Sequence, residues 1–149
     1  MENFLSLKKK IKKNEGFRSK PYLDSLGYPT IGYGHLITSN EKKTFKGKFS
    51  KKFLLKLFNK DFKKALTDYK KNFNHKKHSK NTKEVLIEMI FQLGIKKQQK
   101  FLKLNNHIQK NDMFLAALEM KNSLWYKQTP KRVEGLVKLL LKKEYEKKR

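Results

Sequence analysis

The sequence predicts an α+β protein that is mainly helical, with a small antiparallel sheet lobe and an all-helical lobe joined by a long helix. Two observations predict it. Residues 17–38 break short aromatic and β-branched runs with prolines and glycines, a pattern typical of strands and tight turns. From residue 51 onward, apolar residues recur at intervals of three and four, which is typical of amphipathic helices. A chain of 149 residues suffices for one compact domain or for two small lobes that share an element.

The first predicted helix covers residues 3–14. Its apolar face is formed by Phe4, Leu7 and Ile11, and lysines fill the opposite face. Asn14 and Gly16 suit its end because both tolerate the left-handed conformation in which helices terminate. Glu15 is therefore expected at the end of a rigid element.

A small antiparallel sheet is predicted after this helix. The segment 24–27, Asp-Ser-Leu-Gly, has the Asp and Gly placement of a tight turn that joins two strands. The mostly polar segment 42–48 is predicted to be a loop.

The long helix is predicted over residues 51–70, after Ser50 as its N-cap. A polar connector follows, and a buried helix is expected to start at Asn81 and to end before Gly94. Two short helices over 98–110 and 112–121 have as their expected core Leu102, Leu104, Ile108, Phe114, Leu115 and Leu118. Thr129 and Pro130 start a last helix that runs to about Tyr145.

These elements predict three segments. Residues 1–49 form an N-terminal α+β lobe, residues 50–70 a connecting helix, and residues 71–149 a helical C-terminal lobe.

A polar stripe crosses the apolar helix at intervals of four, formed by Glu84, Glu88 and Gln92. A capping and surface role is the explanation that we favour for Glu84. A hydrogen-bonded pocket or a cleft wall is the favoured explanation for the other two, because they lie deep in an apolar run.

The charge favours anionic polymers as partners. Lysine and arginine total 38 against 13 acidic residues, for a formal net charge of +25. Cell-wall polymers, acidic membranes and nucleic acid all fit, but the scarcity of arginine argues against a specific nucleic-acid reader. A lysine-rich genome gives the same composition, and that explanation stays open.

Cysteine is absent, which excludes disulfides and thiolate metal sites. His75 and His78 lack further ligands nearby, so neither a metal nor a cofactor is expected. No segment resembles a signal peptide or a membrane span, and we expect a soluble monomer made in the cytoplasm.

Two carboxylates carry the chemistry. Glu15 and Asp24, with eight residues between them, are placed to face each other across a gap, which suits hydrolysis by one protonated and one ionised acid. Thr30 on the returning strand is placed to hold a water molecule. On spacing alone, an exposed Glu and an ordinary turn Asp remain the favoured explanation.

The residues around this trio change that balance. The run EGFRSKPYLDSLGYPTIGYGH resembles the catalytic motif E(8x)D(5x)T of the phage-type lysozymes, the muramidases of glycoside hydrolase family 24 that T-even phage lysozyme typifies. Three further blocks are similar to the family in order and spacing: LFNKDF (57–62), IFQLG (90–94) and WYKQTPKR (125–132).

The resemblance implies two lobes with the substrate cleft between them, and a role for each residue of the trio. Glu15 corresponds to the general acid and Asp24 to the carboxylate that activates water, while Thr30 positions that water. The family inverts the anomeric centre, which implies carboxylates about 6.5 to 9.5 Å apart.

Further positions correspond to the family's site. His35 and Asp61 match a structural pair, and Arg132 matches an arginine that approaches the acid from the C-terminal lobe. Gln92 and Tyr33 match positions in or near the substrate cleft of the family. Trp125 matches a nearby position and is expected to pack rather than to stack on sugar.

Two departures stand out. The segment after His35 is shorter than in the T-even enzymes, which trims one cleft wall. Glu88 replaces a neutral amide. If it lines the cleft near Arg132, we expect the added anion either to raise the pKa of Glu15 or to divert the arginine from it. Glu88→Gln is then expected to shift the pH profile of lysis, and an unchanged profile contradicts this.

The expected function is that of an endolysin that cleaves the glycan strands of peptidoglycan, with the positive charge holding it on anionic wall polymers. The resemblance implies that such an enzyme stays in the host cytoplasm until a holin or another membrane-permeabilising partner gives it access. The alternative is a non-catalytic cationic protein that binds membranes or nucleic acid on a lysozyme scaffold.

Overall fold

The computed structural model describes residues 3–142 and confirms the predicted fold class. The helices are α1 (Leu5–Glu15), α2 (Lys51–Asn72), α3 (Lys80–Leu93), α4 (Ile95–Gln99), α5 (Leu102–Gln109), α6 (Met113–Lys121), α7 (Leu124–Gln128) and α8 (Pro130–Leu141). The strands are β1 (Arg18–Leu23), β2 (Pro29–Gly32) and β3 (His35–Leu36). Two short 3-10 helices cover Ser39–Glu41 and His75–Lys77.

The chain divides into two compact units, Met1–Lys64 and Ala65–Arg149. The division falls inside α2. The predicted segmentation at 49 and 70, which gives the long helix a segment of its own, stays a prediction.

The three strands form an antiparallel sheet in the order β1-β2-β3. Across β1 and β2, Tyr22 lies opposite Thr30, and Arg18 lies opposite Gly32. The register shifts between Arg18 and Tyr22. A bulge of this kind re-aims side chains along the strand.

The first unit buries the apolar face of α1 together with one stripe of α2. Leu7 and Ile11 on α1 are fully buried, as predicted from their spacing. In α2 the side chains of Leu54, Phe58 and Phe62 recur every four residues and are buried. Leu54 is the residue of this stripe that contacts the sheet: Ile31 packs in one cluster with it, and Gly32 lies against its side chain.

The second unit is organised around α3. Its N-cap is Ser79, whose hydroxyl accepts a hydrogen bond from the Thr82 N–H at 3.1 Å, so the predicted start at Asn81 is two residues late. Residues from Val85 to Ile90 are buried without interruption. A helix that is apolar on every side is buried on every side, and α3 fits this rule.

The predicted core of α5 and α6 is partly wrong. Leu104 and Ile108 are buried, but Leu102 and Phe114 are 75% and 65% exposed, and Leu115 and Leu118 are also exposed. The contact face of α6 is formed by two alanines and a methionine, because Ala116, Ala117 and Met120 are the buried positions. The last helix ends at Leu141, and the predicted end at Tyr145 lies outside the described residues.

Residues 3–142 contain neither a candidate membrane span nor a candidate metal site. No described helix has the length and apolar character needed to cross a membrane. The described His, Asp and Glu side chains form no group that would hold a metal ion.

Candidate active site

Glu15 is the last residue of α1, and Gly16 ends the helix with a positive φ of 74°. The Gly16 N–H donates to the Lys12 carbonyl at 2.9 Å. This hydrogen bond closes the last turn of α1, to which Glu15 belongs. The carboxyl group lies against Gly34. A methyl group at Gly34 would collide with Glu15 Oε1 and lie 2.7 Å from its Cδ. The carboxyl group of Glu15 therefore occupies the space that a side chain at position 34 would fill.

Asp24 is held by the turn that it starts. Its Oδ1 accepts hydrogen bonds from the backbone N–H groups of Leu26 at 2.9 Å and Tyr28 at 2.8 Å. Its own backbone pairs with Tyr28 and with Gly27, each at 2.9 Å. The two bonds to Oδ1 leave Oδ2 available for a water molecule. The local sequence thus produces a carboxylate with a fixed orientation.

Thr30 lies on β2, only 4% exposed. Its hydroxyl donates to the Tyr28 carbonyl at 2.9 Å. A hydroxyl whose proton is committed presents only lone pairs to a further partner. Thr30 is therefore an acceptor toward water, and the first unit contains all three residues of the predicted trio.

Tyr22 is a residue that the sequence analysis did not single out. Burial and the charge of Glu15 raise its pKa, Arg18 lowers it, and Asp24 raises it further, so the net shift is upward. The Arg18 guanidinium lies 4.8 Å from the centre of the Tyr22 ring. The phenol is therefore neutral at physiological pH.

His35 has two carboxylate partners, of which the sequence analysis expected one. Its Nδ1 lies 2.8 Å from Asp61 Oδ2, and its Nε2 lies 3.1 Å from Glu41 Oε1. Burial disfavours the imidazolium, but the hydrogen bonds and charges of both partners outweigh burial and raise the pKa of His35. Glu41 also accepts from the Thr38 N–H, which ties the short 3-10 helix to this group. The structural assignment of the pair stays a prediction.

Tyr33 belongs to an aromatic cluster. Its ring centre lies 4.9 Å from that of Phe17 and 5.7 Å from that of Phe58. The Lys12 ammonium lies 5.8 Å from its centre. These contacts account for the residue as packing, and its predicted place in the substrate cleft stays a prediction.

The second unit contains the remaining predicted residues. Arg132 Nε donates to Glu88 Oε2 at 2.9 Å, with the carboxylate fully buried and the arginine side chain 10% exposed. Glu88 is therefore hydrogen-bonded in a buried pocket, one of the two environments expected for it, and its place in a cleft wall stays a prediction. Its role toward a substrate stays a prediction.

Gln92 bridges α3 to the start of α8. Its Oε1 accepts from Trp125 Nε1 at 2.9 Å, and its Nε2 donates to Thr129 Oγ1 at 3.2 Å. Trp125 is 3% exposed and packs edge-on against Phe101, as the packing assignment predicted. The polar stripe of α3 therefore connects two neighbouring helices through an amide and an ion pair.

Comparison with known proteins decides the family. The phage lysozyme family model matches residues 12–144. The chain belongs to the phage lysozyme family. It is 32% identical to a probable T4-type lysozyme 2 of Dictyostelium discoideum over 89% of this chain and 91% of the relative. A probable T4-type lysozyme 1 of the same organism is 30% identical over 91% and 93% of the two chains.

A third relative is longer. The pre-baseplate central spike protein Gp5 of Enterobacteria phage T4 is 27% identical over 92% of this chain, which spans 28% of that protein. Family membership and the names of the two shorter relatives support a lysozyme-like function for this chain.

Proposed function

We propose that this member of the phage lysozyme family is a muramidase that hydrolyses the β-1,4 bond between N-acetylmuramic acid and N-acetylglucosamine in peptidoglycan. One observation carries the proposal. Asp24 and Thr30, six residues apart in the sequence, are both locked by the backbone of Tyr28, one as a carboxylate and the other as an acceptor hydroxyl. Two hydrogen-bond acceptors in fixed positions can orient a water molecule for attack.

The reaction uses Glu15 as the acid and Asp24 as the base. Water donates one proton toward Asp24 Oδ2 and the other toward Thr30 Oγ1, which directs an oxygen lone pair at the anomeric carbon. The bond from that oxygen to the anomeric carbon forms as the glycosidic bond breaks. Glu15 protonates the leaving oxygen, Asp24 accepts the proton from water, and the anomeric configuration inverts.

Access and localisation are part of the proposal. The charge of +25 attracts the enzyme to anionic wall polymers around the glycan strands, as a monomer without specific affinity for nucleic acid. It remains in the host cytoplasm until a holin or another permeabilising partner opens the membrane. After release it acts on the cell wall.

The first experiment measures hydrolysis of purified peptidoglycan by Glu15→Gln and Asp24→Asn. General acid–base groups contribute about 10²- to 10⁴-fold each, so both rates should fall by at least about 100-fold. Glu119→Gln on α6 is the control and should retain full activity. A Glu15→Gln protein that digests at the normal rate contradicts the proposal.

The second experiment follows the products. An inverting hydrolase releases reducing ends whose configuration is opposite to that of the cleaved β bond, detectable by NMR before mutarotation. Retained configuration excludes the inverting route, and anhydro sugars indicate a transglycosylase.

The alternative, a non-catalytic cationic protein, is separated by the same Glu15→Gln variant. Under the muramidase proposal, lysis of isolated peptidoglycan disappears. If membrane permeabilisation or DNA binding persists unchanged while the unmodified protein digests no peptidoglycan, the alternative is correct.

A further inference from the structure

The predicted trio has no side chain left to donate a hydrogen bond to the hydroxyl and acetamido oxygens of the sugar. Ionised Asp24 only accepts hydrogen bonds, and the Thr30 hydroxyl already donates its hydrogen bond to the Tyr28 carbonyl. Glu15 uses its proton on the glycosidic oxygen under the proposed mechanism. Hydroxyl and acetamido oxygens of a bound saccharide need donors to fix them. A further donor among the neighbouring side chains would meet this need.

Tyr22 is placed to meet it. Its backbone lies opposite that of Thr30 across β1 and β2. Directly opposed residues of an antiparallel pair carry their side chains on the same face of the sheet. Tyr22 therefore shares the face of the proposed water-positioning residue. The charges of Glu15 and Asp24 both raise the pKa of its phenol.

Arg18 fixes the ring. Its guanidinium lies 4.8 Å from the ring centre of Tyr22, a separation at which cation–π attraction holds a ring face. The strand register shifts between the two residues, and such irregularities re-aim side chains along a strand. With one face covered by the arginine, the hydroxyl at the ring edge is left for hydrogen bonding.

We propose that Tyr22 is a substrate-binding residue of this site, whose phenolic hydroxyl donates a hydrogen bond to an oxygen of the saccharide bound at the two carboxylates, and that Arg18 holds its ring in place. The proposal rests on the proposed muramidase function and adds a fourth residue to it. Burial and the charge of Glu15 keep the phenol protonated, which is the form that donates.

Kinetics of Tyr22→Phe test it, because this change removes the hydroxyl and keeps the ring that Arg18 covers. Loss of one neutral hydrogen bond to the sugar should lower kcat/KM by about 3- to 10-fold, mainly through a higher KM. Tyr126→Phe on α7 is the matched control and should leave kcat/KM unchanged. The melting temperature of Tyr22→Phe should match that of the unmodified protein.

Binding is measured separately in the inactive Glu15→Gln background. Calorimetry with a soluble peptidoglycan tetrasaccharide should show about 3- to 10-fold weaker binding when Tyr22→Phe is added. Arg18→Met should weaken binding in the same direction, because the ring loses its support. Equal affinity with and without the hydroxyl overturns the proposal.

The pH profile distinguishes sugar binding from an indirect effect. If Tyr22 contacts the saccharide, Tyr22→Phe lowers the profile and leaves both limbs at their original pH. A shifted limb shows that Tyr22 acts only through the carboxylates, and the proposal is then wrong. If the unmodified protein hydrolyses no peptidoglycan, the muramidase proposal itself fails. If Glu15→Gln is inactive and Tyr22→Phe behaves as unmodified protein, only the present inference fails.

Discussion

Gly34 is the residue that leaves room for the Glu15 carboxyl group in the candidate site. Its φ of 78° is strained for any other residue, and its missing side chain leaves room for the Glu15 carboxyl group. Either feature alone would favour glycine. Together they make this position critical for both backbone conformation and chemistry.

Gly34→Ala separates the two effects. We expect a loss of about 1 to 3 kcal/mol in the free energy of unfolding from backbone strain, and a loss of at least about 100-fold in hydrolysis because the acid is displaced. Thermal unfolding and peptidoglycan turnover measure them.

Gly47→Ala is the matched control for this change. Gly47 has nearly the same φ, 77°, and nothing lies within 4 Å of the position that a methyl group would take. It should lose similar stability and keep its activity. Equal activity losses in the two variants would show that strain, not displacement of Glu15, lowers the rate.

The sequence predicts the positions of the trio better than it predicts their partners. Glu15 at a helix end and Asp24 in a turn follow from local patterns, since glycine placement and helical periodicity are local signals. Glu41 was missed because its contact with His35 depends on how a loop folds back. Tyr22 was missed because the bulge in β1, which sets its register, has no distinct sequence signature.

At the scale of elements, the length of a helix decided whether its sequence predicted it correctly. The long helix was expected over 51–70 and is found at Lys51–Asn72, because its apolar spacing persists through six turns. The five-residue helix α7 was missed, as it is too short to show a period. The exposed leucines of α5 and α6 were assigned to the core because a helix rich in apolar residues does not reveal which face is covered.

The group of His35, Asp61 and Glu41 makes stability depend on pH. The folded pKa of His35 is raised, so its stabilisation is complete below the unfolded value near 6.5 and is lost as pH rises through the folded pKa. Burial opposes ionisation of Glu41, but its hydrogen bonds to Thr38 and His35 prevail and lower its pKa. That contribution is present above about 4.5 and is lost as pH falls through the folded pKa.

His35→Asn should therefore cost about 1 to 2 kcal/mol at pH 5.5 and clearly less at pH 9. Urea unfolding of both proteins at the two pH values gives the difference, in which the titration of other groups cancels. Glu41→Gln should show a smaller effect with the same pH dependence, since Asp61 remains. A cost that is equal at both pH values would mean that the histidine is held by packing alone.

The ion pair of Glu88 and Arg132 gives a second prediction at this scale. Removing one member of a buried pair leaves an uncompensated charge, so Arg132→Met should cost about 3 to 5 kcal/mol in the free energy of unfolding. Glu88→Met should cost a similar amount. The double variant places two apolar side chains of similar volume together and should recover most of the loss.

A double-mutant cycle measures this coupling by chemical denaturation. Strictly additive losses in the double variant would show that the two side chains do not stabilise each other. The resemblance that places Arg132 near the catalytic acid makes hydrolysis by the same variants informative. A stable but inactive double variant would assign Arg132 a role beyond folding.

At the scale of the whole molecule, the dominant property is the charge of +25, and lysines recur along the exposed faces of α1 and α2. Exposed charges act over about 10 Å at 0.1 M salt and about 3 Å at 1 M. Attraction to an anionic wall should therefore weaken steeply with salt. The stability of the fold should depend much less on salt, because its cores are mainly apolar.

Hydrolysis of intact cell walls should fall by about tenfold between 0.05 and 0.5 M salt, because electrostatic attraction raises the local concentration of the enzyme on its substrate. Hydrolysis of a short soluble peptidoglycan fragment should change little, since it offers no anionic surface. The double variant Lys56→Gln/Lys60→Gln, two exposed positions of α2, should lower both the rate on walls at low salt and its dependence on salt. If walls and fragment respond to salt equally, the charge does not serve substrate attachment, and a lysine-rich genome is the better explanation of the composition.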